Sequence, residues 1–316
     1  MANTHIDQSG QTVEGNQANV GRDVGHIGDK VEGDKIGGDK IVNIYMTPGE
    51  EEIPQQSFEP DMVLIGGGPF WMGRPEGEGI SEFETPQHAV SLPDFAISRY
   101  PITNDGYKRF IRANTDHEPP AGWFNRKPPE GREDHPDSGV TWFDAVAYCD
   151  WLFNETKRRY RLPSEAEWEK AASWIPDLDA DEATRSQKRL YPWGSEWAAG
   201  RCNVGGEGTV RATEYEEYAS AYGVVDLLGN VQEWTRSLWG SDTRAPQFRY
   251  PYDAQDEDRE VDKVEDLPAQ MRVVYRGGSY RTQADAVSNT HRGKSDPSSK
   301  VGWRGFRVVL PVKESS

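Results

Sequence analysis

Residues 161–169 read Arg-Leu-Pro-Ser-Glu-Ala-Glu-Trp-Glu. Ser164 followed three residues later by Glu167 is a capping box. The hydroxyl accepts from the N3 amide, and the carboxylate accepts from the N-cap amide. A helix is therefore expected to start at Glu165, with Trp168, Ala171 and Ala172 on its apolar side. Glu165, Glu167 and Glu169 read as capping and surface charge rather than catalytic carboxylates.

Upstream, Thr141 caps a longer helix to about Arg158, with Val146, Ala147, Trp151 and Leu152 as its apolar stripe. Cys149 on that helix reads as a small core hydrophobe. Thr103-Asn104 supplies N-cap chemistry for a helix through Tyr107, Phe110 and Ile111. Before it come strand-like runs at Met62–Ile65, Phe70–Gly73, His88–Leu92 and Phe95–Ile97. The first two, separated by Gly66–Gly68, read as a hairpin. Downstream, 176–189 and 241–270 are polar insertions, and strands return at Arg272–Tyr275 and Phe306–Leu310. Residues 61–312 are thus expected to be an α+β, loop-rich domain with two main helices.

The chain has 316 residues and a formal net charge of −17, which repels phosphate backbones and argues against nucleic-acid binding. Only 35% of residues are hydrophobic, but 11 Trp, 13 Tyr and 10 Phe bury enough area for one substantial core. No apolar run is long enough for a membrane span, and the N-terminus lacks a secretory signal pattern. Two cysteines, Cys149 and Cys202, suggest a reducing cytoplasm.

Residues 1–46 differ in character. From Lys30 they repeat Lys-Val-Glu-Gly-Asp, Lys-Ile-Gly-Gly-Asp and Lys-Ile-Val-Asn-Ile. One β-branched residue per Gly-Asp turn resembles solenoid rungs, which need stacked neighbours. The segment is expected either to self-associate into a homo-oligomer or to dock on a partner; a low-complexity tail is the alternative. Residues 47–60 are an acidic, Pro-containing linker, and 313–316 a tail.

Several segments together resemble one family. They are Met62–Gly73, Tyr100–Asn104, Val140–Ala145, Tyr148–Trp151, Arg161–Glu169, Tyr191–Gly194, Tyr222–Trp234, Arg276–Tyr280 and Gly305–Arg307. The chain is similar to formylglycine-generating enzymes and sulfatase-modifying factors, with a C-type-lectin-like fold. That resemblance implies cysteine oxidation by copper held on two cysteines after the Gly-Gly-Ser motif. In this chain those positions are Thr282 and Val287, neither of which suits Cu(I). A second branch makes sulfoxides with iron on three histidines. Here His5, His26, His88, His117, His135 and His291 are scattered, so no copper or iron is expected.

A third branch, including variable proteins of diversity-generating retroelements, uses the stretch before Gly-Phe-Arg as a ligand-binding face. Here that is Tyr280–Arg304. Its candidate residues are Tyr280, Arg281, Thr282, Gln283 and Asn289, then His291, Arg292, Lys294, Lys300, Trp303 and Arg304. The resemblance also implies structural Ca²⁺ on Gly229, Asn230, Val231 and Glu233, which supply hard oxygens. A second site would use Asn203 and Val204, but the matching acidic loop is absent between Gly205 and Thr213. Arg276 and Arg307 are expected to pair with buried acids or carbonyls. The combined expectation is a bacterial, non-catalytic recognition module. The alternatives are a metal-dependent oxidoreductase with a rearranged site, and a structural assembly subunit.

Overall fold

The structure, a computed structural model, describes residues 55–176, 181 and 185–312. The Gly-Asp repeat and the C-terminal tail lie outside the described residues. Twelve main elements follow one another: β1 Met62–Ile65, β2 Gly68–Met72, β3 His88–Leu92, β4 Phe95–Ser98, α1 Asn104–Ala113, α2 Trp142–Thr156, α3 Glu165–Ser173, β5 Gln232–Gly240, β6 Arg272–Arg276, β7 Gly293–Ser295, β8 Arg304–Phe306 and β9 Val309–Pro311.

The helices begin where side-chain oxygens meet orphan amides. Thr103 accepts from the Gly106 amide at 3.3 Å. Thr141 and Asp144 form a capping box at 3.0 and 2.8 Å. Ser164 and Glu167 form another at 3.0 and 2.7 Å. Lys157 ends α2 in the left-handed region at φ 60°.

Three small sheets result, ordered β1-β4-β9, β2-β3 and β7-β6-β5-β8. The first joins the start of the domain to its end, because β4 pairs with both β1 and β9. In the third, β5 lies antiparallel to β6 and parallel to β8. The hairpin expected at the start is corrected. Met62 pairs with Ser98, while Phe70 pairs with Val90, so β1 and β2 belong to different sheets. The glycines between them are a crossing. The buried Lys170 amine holds it by donating to the Gly66 and Gly68 carbonyls at 2.7 and 3.0 Å. Among the described residues three helices stand, the two main ones and the shorter one after Thr103, each at a start the sequence marked.

Aromatics fill the core in two clusters. One, under α1 and α2, contains Tyr107, Trp142, Tyr148, Trp234 and Phe306. The other packs Phe70, Trp168, Trp174, Leu227 and Leu228 around α3. Large rings carry much buried area per residue, which is how a short-strand, loop-rich chain closes a core. The 241–270 insertion folds back onto this body, with Phe248, Tyr250, Tyr252, Arg259 and Val261 all buried.

Candidate functional site

The acids of α3 are interior. Glu165, Glu167 and Glu169 are 0%, 4% and 0% exposed, which corrects their reading as surface charge. Each has cationic partners, local for Glu167 and from later segments for Glu165 and Glu169. Arg292 holds both oxygens of Glu165 at 2.6 and 2.7 Å, with Arg276 at 3.4 Å. Arg276 and Lys188 both hold Glu169, which also accepts the Gly73 amide at 2.7 Å. Arg161 grips Glu167 with two bonds of 2.7 Å. On β5, Glu233 takes Arg307 at 2.6 and 2.8 Å and the Trp168 indole at 2.7 Å. The expectation that Arg276 and Arg307 pair with buried acids matches this geometry.

These pairs set the pH response. Burial opposes ionisation, yet Lys188 and Arg276 hold Glu169 down at about 2, and Arg161 holds Glu167 at about 2. Folded values below the ordinary 4.5 give stability that is present above 4.5 and lost as pH falls towards 2. Glu260 runs the other way. Burial pushes it up to about 7, only partly offset by Arg236, Tyr252 and Ser237. Its contribution is present below 4.5 and lost as pH rises through 7. Urea denaturation at several pH values is expected to show both limbs, the upper on the order of 3 kcal/mol and the lower, to which two carboxylates contribute, on the order of twice that. Glu260→Gln should reduce the upper limb, to which the raised carboxyls of Asp137 and Asp226 also contribute, and leave the lower limb unchanged; an unchanged upper limb would remove Glu260 as a source.

The same ion pairs divide the stretch read as a recognition face. Arg292, 4% exposed, is the counter-ion of Glu165 and belongs to the interior. Asn289, 0% exposed, donates to the Ala172 and Arg189 carbonyls at 3.0 and 3.2 Å, the first near the end of α3. Arg304, 5% exposed, donates to Gln232 at 2.8 and 3.0 Å and stacks over Trp234 and Tyr275. These three corrections share a cause: each side chain is drawn inward by partners on other segments, Arg292 by Glu165, Asn289 by the Ala172 and Arg189 carbonyls and Arg304 by Gln232.

Other members have separate partners. His291 lies 3.7 Å from Glu84, and Lys294 stands over Phe83 and Trp239 at 5.2 and 4.7 Å. Lys300 donates to the Pro119 carbonyl at 3.0 Å. What remains together is Tyr280, Arg281, Thr282 and Gln283 with Trp303. The Arg281 guanidinium lies 4.4 Å from the Trp303 ring centroid, with Arg281 exposed and Trp303 half-buried. The Gly205-Gly206 turn backs this patch, its amides donating to the Thr282 and Tyr280 carbonyls at 3.0 and 2.6 Å.

Thr282 and Val287 do oppose each other. Gly278, at φ 72°, leaves the space: a Cβ there would meet Val287 Cγ1 at 2.9 Å and Thr282 Oγ1 at 3.3 Å. The hydroxyl accepts the Ser279 amide at 2.9 Å, and Val287 is 4% exposed. Neither offers a soft ligand. Burial, then Asp150, pushes the Cys149 thiol well up, and burial, then Asp226, pushes Cys202 up to about 12. Such thiols stay protonated and inert. His88 bonds around Pro86 and Tyr252, His117 sits beside Asp144, and His135 bonds Thr209. Among the described residues, no three His, Cys, Asp or Glu side chains converge as a metal-binding group.

The expected Ca²⁺ set does not fit the ion. Both oxygens of Glu233 already face N–H donors. Asn230 Oδ1 accepts Asn203 Nδ2 and the Val210 amide at 3.1 and 3.0 Å. The Asn203 carbonyl takes the Asn230 amide at 2.8 Å, and Asn203 bridges to Gly229 rather than forming a second cage with Val204. Donors aimed at these oxygens supply positive charge where a cation would need to sit. Sequence reading missed Asp226. It is 7% exposed at φ 58°, binds the Asn230 amide group at 2.7 Å, and burial pushes its carboxyl well up.

A loop-rich α+β scaffold, closed by buried carboxylate–guanidinium pairs and carrying a small Arg-Trp surface patch, is the class defined so far. Residues 49–312 match the sulfatase-modifying factor enzyme 1-like domain, and the chain belongs to that family. It is 35% identical over 286 residues to hercynine oxygenase of Mycolicibacterium smegmatis, covering 79% of this chain and 61% of that protein. It is 29% identical over 290 residues to serine/threonine-protein kinase Pkn1 of Chlamydia trachomatis, covering 86% of this chain and 42% of the kinase. The chain thus spans less than two thirds of the length of either relative. Among solved structures, PvdO from Pseudomonas aeruginosa is similar at 26% identity and a TM-score of 0.60, covering 81% of this chain and 96% of that one.

Proposed function

We propose that this domain is a non-catalytic recognition module, and that Arg281 and Trp303, with Tyr280, Thr282 and Gln283, form its contact patch. The observation that carries the reading is the pair Thr282 and Val287. The positions that would hold copper by resemblance present a bonded hydroxyl and a buried methyl. Beside them lies an exposed guanidinium over an indole, 4.4 Å from its ring centroid. Such stacking orders the side chain before contact and leaves its donor edge outward, a combination favoured at interfaces. Family membership does not set a chemistry, since relatives carry both an oxygenase and a kinase name.

Two assays test this. Purified protein supplied with Cu(I) and a cysteine-containing sulfatase peptide is expected to form no aldehyde; aldehyde formation would overturn the non-catalytic reading. Trp303→Ala should reduce capture of a binding partner from the source cell about tenfold or more, as loss of one central aromatic anchor does. Equal capture by a folded Trp303→Ala protein would remove this patch as the contact surface.

A further inference from the structure

Phe124 is the most exposed large hydrophobic side chain among the described residues, at 79%. It sits on a two-residue hairpin turn, where the Phe124 and Lys127 amides each donate to the other's carbonyl at 3.0 Å. Between them Asn125 and Arg126 are both left-handed, at φ 49° and 60°. Such a turn favours Asn-Gly, so an Arg at its second position needs something to hold it. The Arg126 guanidinium does so by donating to the Ile111, Asn114 and His117 carbonyls at 2.8, 3.0 and 2.9 Å. On the other side of Phe124, the Trp123 indole donates to Asn104 Oδ1 at 3.3 Å. The hairpin is thus tied along α1, and Phe124 is held outward in one place. An anchor fixed before contact loses little entropy on binding.

The solvent face of α1 is basic. Lys108, Arg109 and Arg112 fall together by helical spacing, with Asp105 the one acid among them. Arg109, Arg112 and Lys127 are exposed and make no ion pair among the described residues. In a chain of net charge −17, such a cationic face invites an acidic counterpart.

A surface of that character lies on the same chain. Trp193 gathers Tyr191, Trp197 and Tyr218 around it at ring distances of 5.4, 5.9 and 6.5 Å. All four are half-buried, so each keeps part of its ring on the surface. Glu196, Glu214 and Glu217, close to these rings in sequence, are exposed and make no ion pair among the described residues. Arg201 lies 5.2 Å from the Tyr218 ring centroid, so the cluster already takes one guanidinium.

A seam joins the two surfaces. Arg211 pairs with Asp134 at 3.3 Å, the Ala212 amide donates to the Asp134 carbonyl at 3.0 Å, and His135 Nδ1 lies 3.0 Å from Thr209 Oγ1. The loop that follows the hairpin therefore runs against the segment that leads to Tyr218. Two copies related by a two-fold axis at this seam can each set the basic face on the other's acidic face. Repulsion between the copies is screened beyond about 8 Å at physiological salt, so the charges in contact decide.

We propose that two copies of this chain pair through these surfaces. Phe124 of one copy packs against the Trp193 cluster of the second, and Arg109, Arg112 and Lys127 face the acids around that cluster. This contact is separate from the Arg281–Trp303 patch and goes beyond the recognition role assigned to it.

Photocross-linking on the full-length chain tests it. The photoreactive amino acid benzoylphenylalanine replaces Phe124. Irradiation is expected to join position 124 to a residue within 191–218 of a second chain, with a yield that rises with protein concentration. Arg109→Glu combined with Arg112→Glu should cut that yield at least tenfold, with circular dichroism unchanged. Glu214→Lys combined with Glu217→Lys should do the same. Mixing the two variants, with the photoreactive residue on the first, should restore the product, because the reversed basic face then meets a reversed acidic one. The proposal is overturned if position 124 joins nothing within 191–218, or if the product forms inside one chain. It is equally overturned if either charge reversal leaves the yield unchanged, or if the mixture fails to restore it.

Discussion

Arg307→Met is expected to lower the unfolding free energy by about 3–5 kcal/mol, the usual cost of stranding one half of a buried ion pair. Arg307 and Glu233 are both 0% exposed, and among the described residues Glu233 has no other cation within bonding distance. The guanidinium also donates to the Ser98 carbonyl at 2.9 Å and the Val225 carbonyl at 3.0 Å, so one side chain joins β4, β5 and the segment that leads into β5. Its loss leaves a charge and two carbonyls unmet together. Urea denaturation reads the change as a lower midpoint at similar slope. Adding Glu233→Leu should recover part of the loss, because the pair removed together leaves no stranded charge. A loss under about 1 kcal/mol for Arg307→Met would show that this pair does not hold the sheets together.

Thr282→Cys with Val287→Cys is expected to convert a protein without a Cu(I) site into one that binds a single Cu(I) per chain. Both side chains reach the space above Gly278, within 3.3 and 2.9 Å of one point. Two thiolates there would present the soft, closely spaced ligands that Cu(I) favours. Titration of the reduced variant against a chromogenic Cu(I) chelator reads the gain, and each single variant should compete far less well. Wild-type-like titration by the folded double variant would mean the two positions do not meet as described. The experiment separates scaffold from chemistry: positions 282 and 287 meet above Gly278, and neither carries a thiol.

Much of the local structure was open to reading because its causes are local. Thr141 with Asp144 and Ser164 with Glu167 are capping boxes within four residues, and the structure shows both. The Tyr107, Phe110 and Ile111 face of α1 follows from helical spacing, and all three are buried. The ordered motifs were enough to place the chain in its family. The opening hairpin failed because strand proximity in sequence does not set pairing. β1 finds its partners in β4 and β9, the latter from the far end of the domain.

The acids of α3 show the same division at the level of charge. A Glu at the start of a helix reads identically whether it faces water or a guanidinium. Glu165 is interior because Arg276 and Arg292, more than a hundred residues later, arrive at it. The reverse applies to the recognition stretch, where Arg292, Asn289 and Arg304 carry the composition of a binding surface yet serve the core. Sequence by itself determined what neighbouring residues decide among themselves: helix starts, turn chemistry, the absence of thiols at 282 and 287, and membership of the family. Tertiary structure alone decided which charges are inside, whether the Glu233 and Asn230 oxygens are free, and that Arg281 meets Trp303. Those outcomes depend on pairings across long loops, where Coulomb attraction and desolvation act through space and leave no periodic trace along the chain.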